Sequence, residues 1–278
     1  MRRDPKTALI GAAVCLAGLI ATGVAALVWP VGHVSDVDAL TGIVELNRGR
    51  PAALAEGVVH LADPAPYAIF GAGLITLALI RGRRRLALAL PVVLVGAALT
   101  TEILKPLLAT HRSDGWIESH ISVASWPSGH ATAALTVSLC AVLVAPRRLR
   151  PAVAVLGGVF AAAVAYAILI LAWHFPSDVL GGFFVAATWV LLAVAVLLAA
   201  RRSRRPEARR PDSARSPVLW PIELAVAIAL VAGAAIGLAR PDEVGRFAAE
   251  NTTGLAALAV IAALALALAG GVARTLRG

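Results

Sequence analysis

Residues 151–200 read PAVAVLGGVFAAAVAYAILILAWHFPSDVLGGFFVAATWVLLAVAVLLAA, two apolar runs (151–173 and 178–200) parted by the polar turn His174-Phe175-Pro176-Ser177-Asp178. An α-helix needs about 20 apolar residues to cross roughly 30 Å of hydrocarbon, and each run is long enough. The stretch therefore reads as a hairpin of two membrane-spanning helices. On either side, apolar runs at 7–30, 65–80, 86–110, 129–146, 218–239 and 254–273 bring the expected spans to eight. The whole chain is 59% hydrophobic with only 15% charged residues and a mean hydropathy of +0.84, far from the mixture of a soluble domain. Aromatic residues are just 5%, so the apolar content is mostly Ala, Leu and Val, which suits closely packed helices better than barrel strands with aromatic girdles. The expected fold class is all-α, a polytopic membrane helix bundle. It divides into a six-span core over 1–200, a basic cytoplasmic linker at 201–216 and a C-terminal transmembrane hairpin at 217–278.

A net charge of +9 would suggest nucleic acid in a soluble protein. Here the basic residues sit in short clusters, and 19 of the 25 fall in every second connection, so membrane topology accounts for them and no nucleic-acid partner is expected. The positive-inside rule places both termini in the cytoplasm and all six histidines toward the other face. The expected location is a plasma membrane, of bacterial type. Met-Arg-Arg opens the chain, but the first apolar run exceeds the 7 to 15 residues of a signal-peptide core, so it reads as a retained helix. The outer loop 31–64 carries Ser35-x-x-Asp38 followed by Val37, Leu40 and Val44 at helical spacing, which fits a helix on the membrane surface and equally an ordinary structured loop. Cys15 and Cys140 lie inside apolar runs without motif spacing and read as packing residues.

Three polar groups on the histidine-bearing face are not explained by anchoring. Lys105 and Arg112, seven residues apart with Pro106 between, suit a phosphate, although taken alone the pair reads rather as two snorkelling anchors. In Pro127-Ser128-Gly129-His130, Ser128 is a favoured N-cap, and free first-turn amides with a glycine and a histidine make an anion site or simply a well-capped helix. His174 and Asp178, spaced i and i+4, can hydrogen bond so that the carboxylate fixes the imidazole tautomer and leaves the other nitrogen free to attack; alone, a surface pair reads the same way. Taken together they are the parts that phosphoryl transfer through a phosphohistidine needs.

These residues resemble the signature of the type 2 phosphatidic acid phosphatase (PAP2) superfamily, K-x6-R-P, then P-S-G-H, then S-R-x5-H-x3-D. Lys105 and Arg112 match the first part, Pro127 to His130 the second, and His174 and Asp178 the end of the third. Ser113 stands in place of the Pro of the first part, and Ile168, preceded by Ala167, in place of the Arg of the third. The resemblance implies His174 as nucleophile, Asp178 as its orienting partner and His130 as the acid that protonates the leaving oxygen and later the base that activates water. It assigns Lys105, Arg112, Ser128 and the Gly129 amide to the phosphate oxygens, with no metal and no cofactor. His111, beside Arg112, is a candidate for replacement charge. The implied activity is a lipid phosphate phosphatase acting at the outer leaflet on a polyprenyl diphosphate or related lipid phosphate. The rival, motivated by Ile168, is a catalytically weak relative that binds or transports polyprenyl phosphates or supports a membrane partner enzyme through the C-terminal hairpin.

Overall fold

The computed structural model describes residues 4–112, 121–202 and 241–276. Among these residues there are ten α-helices and no strands: α1 (Pro5–Leu27), α2 (Pro30–Val44), α3 (Gly49–Val59), α4 (Pro64–Ile80), α5 (Arg84–Leu107), α6 (Gly129–Val144), α7 (Arg150–Ile170), α8 (Pro176–Arg202), α9 (Pro241–Glu250) and α10 (Thr252–Thr275). Pro5, Pro30, Pro64 and Pro176 stand at helix starts, where a missing N–H costs nothing. Five of the helices, α1, α5, α7, α8 and α10, are long and apolar enough to cross a membrane. Helices α3 and α4, joined by the 3-10 turn His60–Ala62, pass the same test as a pair bent by 51°. The chain is an integral membrane protein. Its lipid-facing surface shows on α5, where Leu88, Val92, Val95, Leu99 and Ile103 are exposed at helical spacing while Leu90, Val93, Leu94 and Ala97 are buried.

The core is built around α6, which is enclosed by α4, α5, α7 and α8. At 16 residues it is shorter than a bilayer requires, and it is tolerated because protein surrounds it. Small residues let the helices close up. A Cβ at Gly18 of α1 would stand 2.7 Å from the Phe184 ring on α8, and one at Gly157 of α7 2.8 Å from Ser138 Cβ on α6.

The loop 31–64 differs from its expected form. Its first helix starts at Pro30, not near Ser35, and α2 is no free surface helix: Ala39, Leu40 and Ile43 are buried, and α2 packs on α10 and α1. α10 also runs along α7, where the Tyr166 hydroxyl donates to Leu258 O at 2.7 Å. The expected span 218–239, the linker beyond residue 202 and Ser113 lie outside the described residues.

One end of the bundle is closed by arginines. Arg81 and Arg83 donate to the C-terminal carbonyls of α6, Val144 O at 2.9 Å and Leu143 O at 2.7 Å, and Arg85 reaches Ala200 O near the end of α8 at 2.9 Å. Cations there satisfy carbonyls that the helix leaves open and oppose the negative end of its dipole. The polar residues singled out in the sequence lie at the other end.

Candidate active site

Two helix starts meet at that end. Ser128 caps α6, its Oγ accepting the Ala131 N–H at 3.3 Å, and its own N–H donates to the Asp178 carbonyl in the first turn of α8 at 2.9 Å. Thr132 Oγ1 bridges the pair, lying 2.8 Å from Ser128 O and 3.2 Å from Gly182 O. The approach is so close that a Cβ at Gly182 would lie 2.6 Å from Ser128 O. Neither Gly129 N nor His130 N has a hydrogen-bond partner among the described residues, so two donors at the positive end of α6 point into the site.

The turn carrying His174 begins where α7 stops. Ala172 takes a left-handed conformation (φ 57°), and Trp173 N–H reaches back to Ile168 O at 2.9 Å, a closure that usually has glycine at the turning residue. The chain then reverses through His174 into Pro176. His174 Nδ1 lies 3.2 Å from Asp178 Oδ2, and the Phe175 N–H donates to the same oxygen at 3.1 Å. A carboxylate only accepts, so the Nδ1 that faces it carries the proton and Nε2 keeps its lone pair.

Asp178 is fully buried, and its other oxygen accepts from Arg112 Nη2 at 2.6 Å. The Arg112 side chain is 3% exposed, stacks over the Phe175 ring with Cζ 5.0 Å from its centroid, and brings Nη1 to 3.7 Å from Asp36 Oδ2. Asp36, from α2, in turn accepts from the Ser177 N–H at 3.1 Å and from the Ser177 hydroxyl. Burial pushes the Asp36 carboxyl up to about 6; the Ser177 bonds and Arg112 oppose that rise, and Asp178 adds to it.

On the open side, His130 Nε2 donates to Asp63 Oδ1 at 3.0 Å, while the other oxygen of Asp63 accepts from His60 Nδ1 at 2.9 Å. The His130 ring lies 5.6 Å from that of Trp173, the neighbour of His174. Lys105, in the last turn of α5, pairs with Glu102 at 2.9 Å, and its Nζ is 3.3 Å from where a Gly129 Cβ would stand. Any side chain at 129 would crowd that ammonium. The structure thus brings His174, Asp178, Arg112, Ser128, Gly129, His130 and Lys105 to one place, and no metal-binding cluster of His, Cys, Asp or Glu occurs among the described residues.

Residues 86–202 match the family model of the PAP2 superfamily. Among solved structures the fold is similar to that of a transmembrane PAP2-type phosphatidylglycerolphosphate phosphatase from Bacillus subtilis, at a TM-score of 0.50 and 20% identity, over 70% of this chain and 98% of that one. No curated protein matches the chain. The architecture is a PAP2-like polytopic membrane bundle.

Three carboxylates around this site were missed in the sequence: Asp36, Asp63 and Glu102. Asp36 and Asp63 precede the matched region, and each reaches across the fold, Asp36 over 141 residues to Ser177 and Asp63 over 67 to His130. Glu102, at i−3 from Lys105, was the one local spacing could have shown. Ile168 is fully buried in the hydrophobic core.

Proposed function

We propose that the protein is a membrane lipid phosphate phosphatase acting at the outer leaflet on a polyprenyl diphosphate or related lipid phosphate, through a phosphohistidine intermediate. The observation that carries this reading is the His174–Asp178 pair held beside the two unpaired amides of α6. In this mechanism the phosphate oxygens sit on the Gly129 and His130 amides and on Lys105, while Arg112 and Ser128, which the resemblance assigned to the phosphate, are engaged by Asp178 and by the Ala131 N–H. The Glu102 partner of Lys105 is 66% exposed, and such a solvent-exposed pair is weak enough for a dianion to displace it.

His174 Nε2 attacks phosphorus as the bond to the lipid oxygen breaks, and the Asp178 carboxylate stabilises the imidazolium character that develops. With His130 Nε2–H engaged by Asp63, the acid is the imidazolium form of His130, whose second proton, on Nδ1, goes to the leaving oxygen and leaves the ring neutral. The same nitrogen then takes a proton from water as that water attacks phosphorus and the N–P bond breaks, which releases phosphate and restores His174.

The test is phosphate release by the purified full chain in detergent micelles from undecaprenyl diphosphate, phosphatidic acid and phosphatidylglycerol phosphate. Loss of the nucleophile in His174→Ala should lower kcat by roughly a thousandfold or more. Turnover that survives this change rejects the assignment. Ile168 favours a second reading, a weak enzyme that holds polyprenyl phosphates; it predicts saturable lipid binding with no phosphate released.

A further inference from the structure

We propose that Asp36, from a helix outside the matched region, is a positioning residue for the His174 nucleophile. This rests on the phosphatase reading of the site. The carboxylate is 8% exposed and spans two parts of the machinery. One oxygen takes the Ser177 N–H at 3.1 Å and the other takes the Ser177 hydroxyl while standing 3.7 Å from Arg112 Nη1. Ser177 directly precedes Asp178, so Asp36 ties down the backbone from which the orienting carboxylate projects. Arg112 in turn holds the Asp178 oxygen that does not face His174. Both routes converge on the angle at which Asp178 presents itself to Nδ1.

Folding alone does not call for a charge here. A buried carboxylate costs desolvation, and a well-packed apolar residue commonly replaces a buried ion at no loss of stability. What the carboxylate supplies is a negative charge 3.7 Å from Arg112 Nη1 and a hold on the Ser177 hydroxyl, which itself accepts from that nitrogen at 3.4 Å, so both keep the guanidinium against Asp178. Asp36 touches neither the α6 amides nor Lys105, so its removal should disturb the nucleophile and leave phosphate binding nearly intact.

Asp36→Asn is nearly isosteric and keeps an acceptor for the Ser177 N–H. With the most rapidly hydrolysed lipid of the panel above, it should lower kcat about tenfold and change KM less than twofold, while Asp38→Asn, exposed on the same helix, leaves both unchanged. Because Asp36 acts partly through Arg112, the double variant Asp36→Asn/Arg112→Gln should lose less than the product of the two single losses. A kcat within twofold of wild type, a loss confined to KM, or effects of the two changes that multiply would each overturn the proposal. Size-exclusion profiles of the purified variants separate misfolding from misalignment. If wild type releases phosphate from none of the lipids, the phosphatase reading fails, and orthovanadate, which takes up five-coordinate geometry on a nucleophile, reads Asp36 instead. Its affinity should fall about tenfold in Asp36→Asn. Affinity within twofold, or no orthovanadate binding by wild type, rejects the inference.

Discussion

Asp36 also gives the molecule a pH signature that is independent of turnover. Its carboxyl is raised from 3.8 to about 6 in the folded chain, chiefly by burial, and the charged groups that act on it are Arg112 and Asp178. A raised carboxyl pKa means that the folded state binds a proton more tightly than the unfolded one. The stability contributed by Asp36 is therefore fully present below its ordinary value near 4 and is lost as pH rises through about 6. Asp36→Asn carries no such proton. Thermal unfolding in detergent from pH 5 to 8 should show the melting temperature of the Asn variant gaining on wild type as pH increases. A difference that stays constant across that range would mean that Asp36 is ionised throughout or is not buried.

At the scale of elements, the site depends on how closely α6 and α8 approach. Gly182 faces the Ser128 carbonyl so tightly that a Cβ would stand 2.6 Å from that oxygen and 2.9 Å from Thr132 Oγ1. Neither atom is the far end of a flexible side chain, so Gly182→Ala must push the helix starts apart and weaken the Ser128 N–H bond to Asp178 O. The expected outcome is a loss of phosphate release of tenfold or more with a fall in melting temperature, since overpacking typically costs about 1–3 kcal/mol. Unchanged activity in Gly182→Ala would show that the two starts need not touch. Sequence spacing made the helices themselves legible, because α1, α5, α7, α8 and α10 are long apolar runs with clear ends. It also suggested His174 and Asp178 as a pair by their i, i+4 spacing, although His174 lies in the turn before α8 and reaches back to the first turn of that helix. It could not show Asp36 or Asp63, because their partners are brought to them only by tertiary packing. Nor could it show that Arg112 sits against a carboxylate, which depends on the chain leaving α5 after Leu107 and bringing Arg112 over the Phe175 ring.

On the scale of the whole molecule, the two ends of the bundle differ in charge character, and this bears on how the chain sits in its membrane. Arg81, Arg83 and Arg85 close one end by capping α6 and α8, so those cations serve helix termination as well as topology. His60, His130 and His174 sit at the other end. On the proposed reading the histidine end faces outward, as the positive-inside rule predicts, where a lipid headgroup of the outer leaflet would meet it. Cysteine labelling in intact cells tests this directly, because the native Cys15 and Cys140 are both buried. Ser122, exposed near the start of α6, and Leu149, 40% exposed at the start of α7, mark the two ends without removing a charge. A membrane-impermeant maleimide should label Ser122→Cys in intact cells and Leu149→Cys only after permeabilisation. The reverse pattern would place the candidate site in the cytoplasm, and the outer-leaflet substrate would have to be abandoned even if phosphate release and the His174 requirement both held.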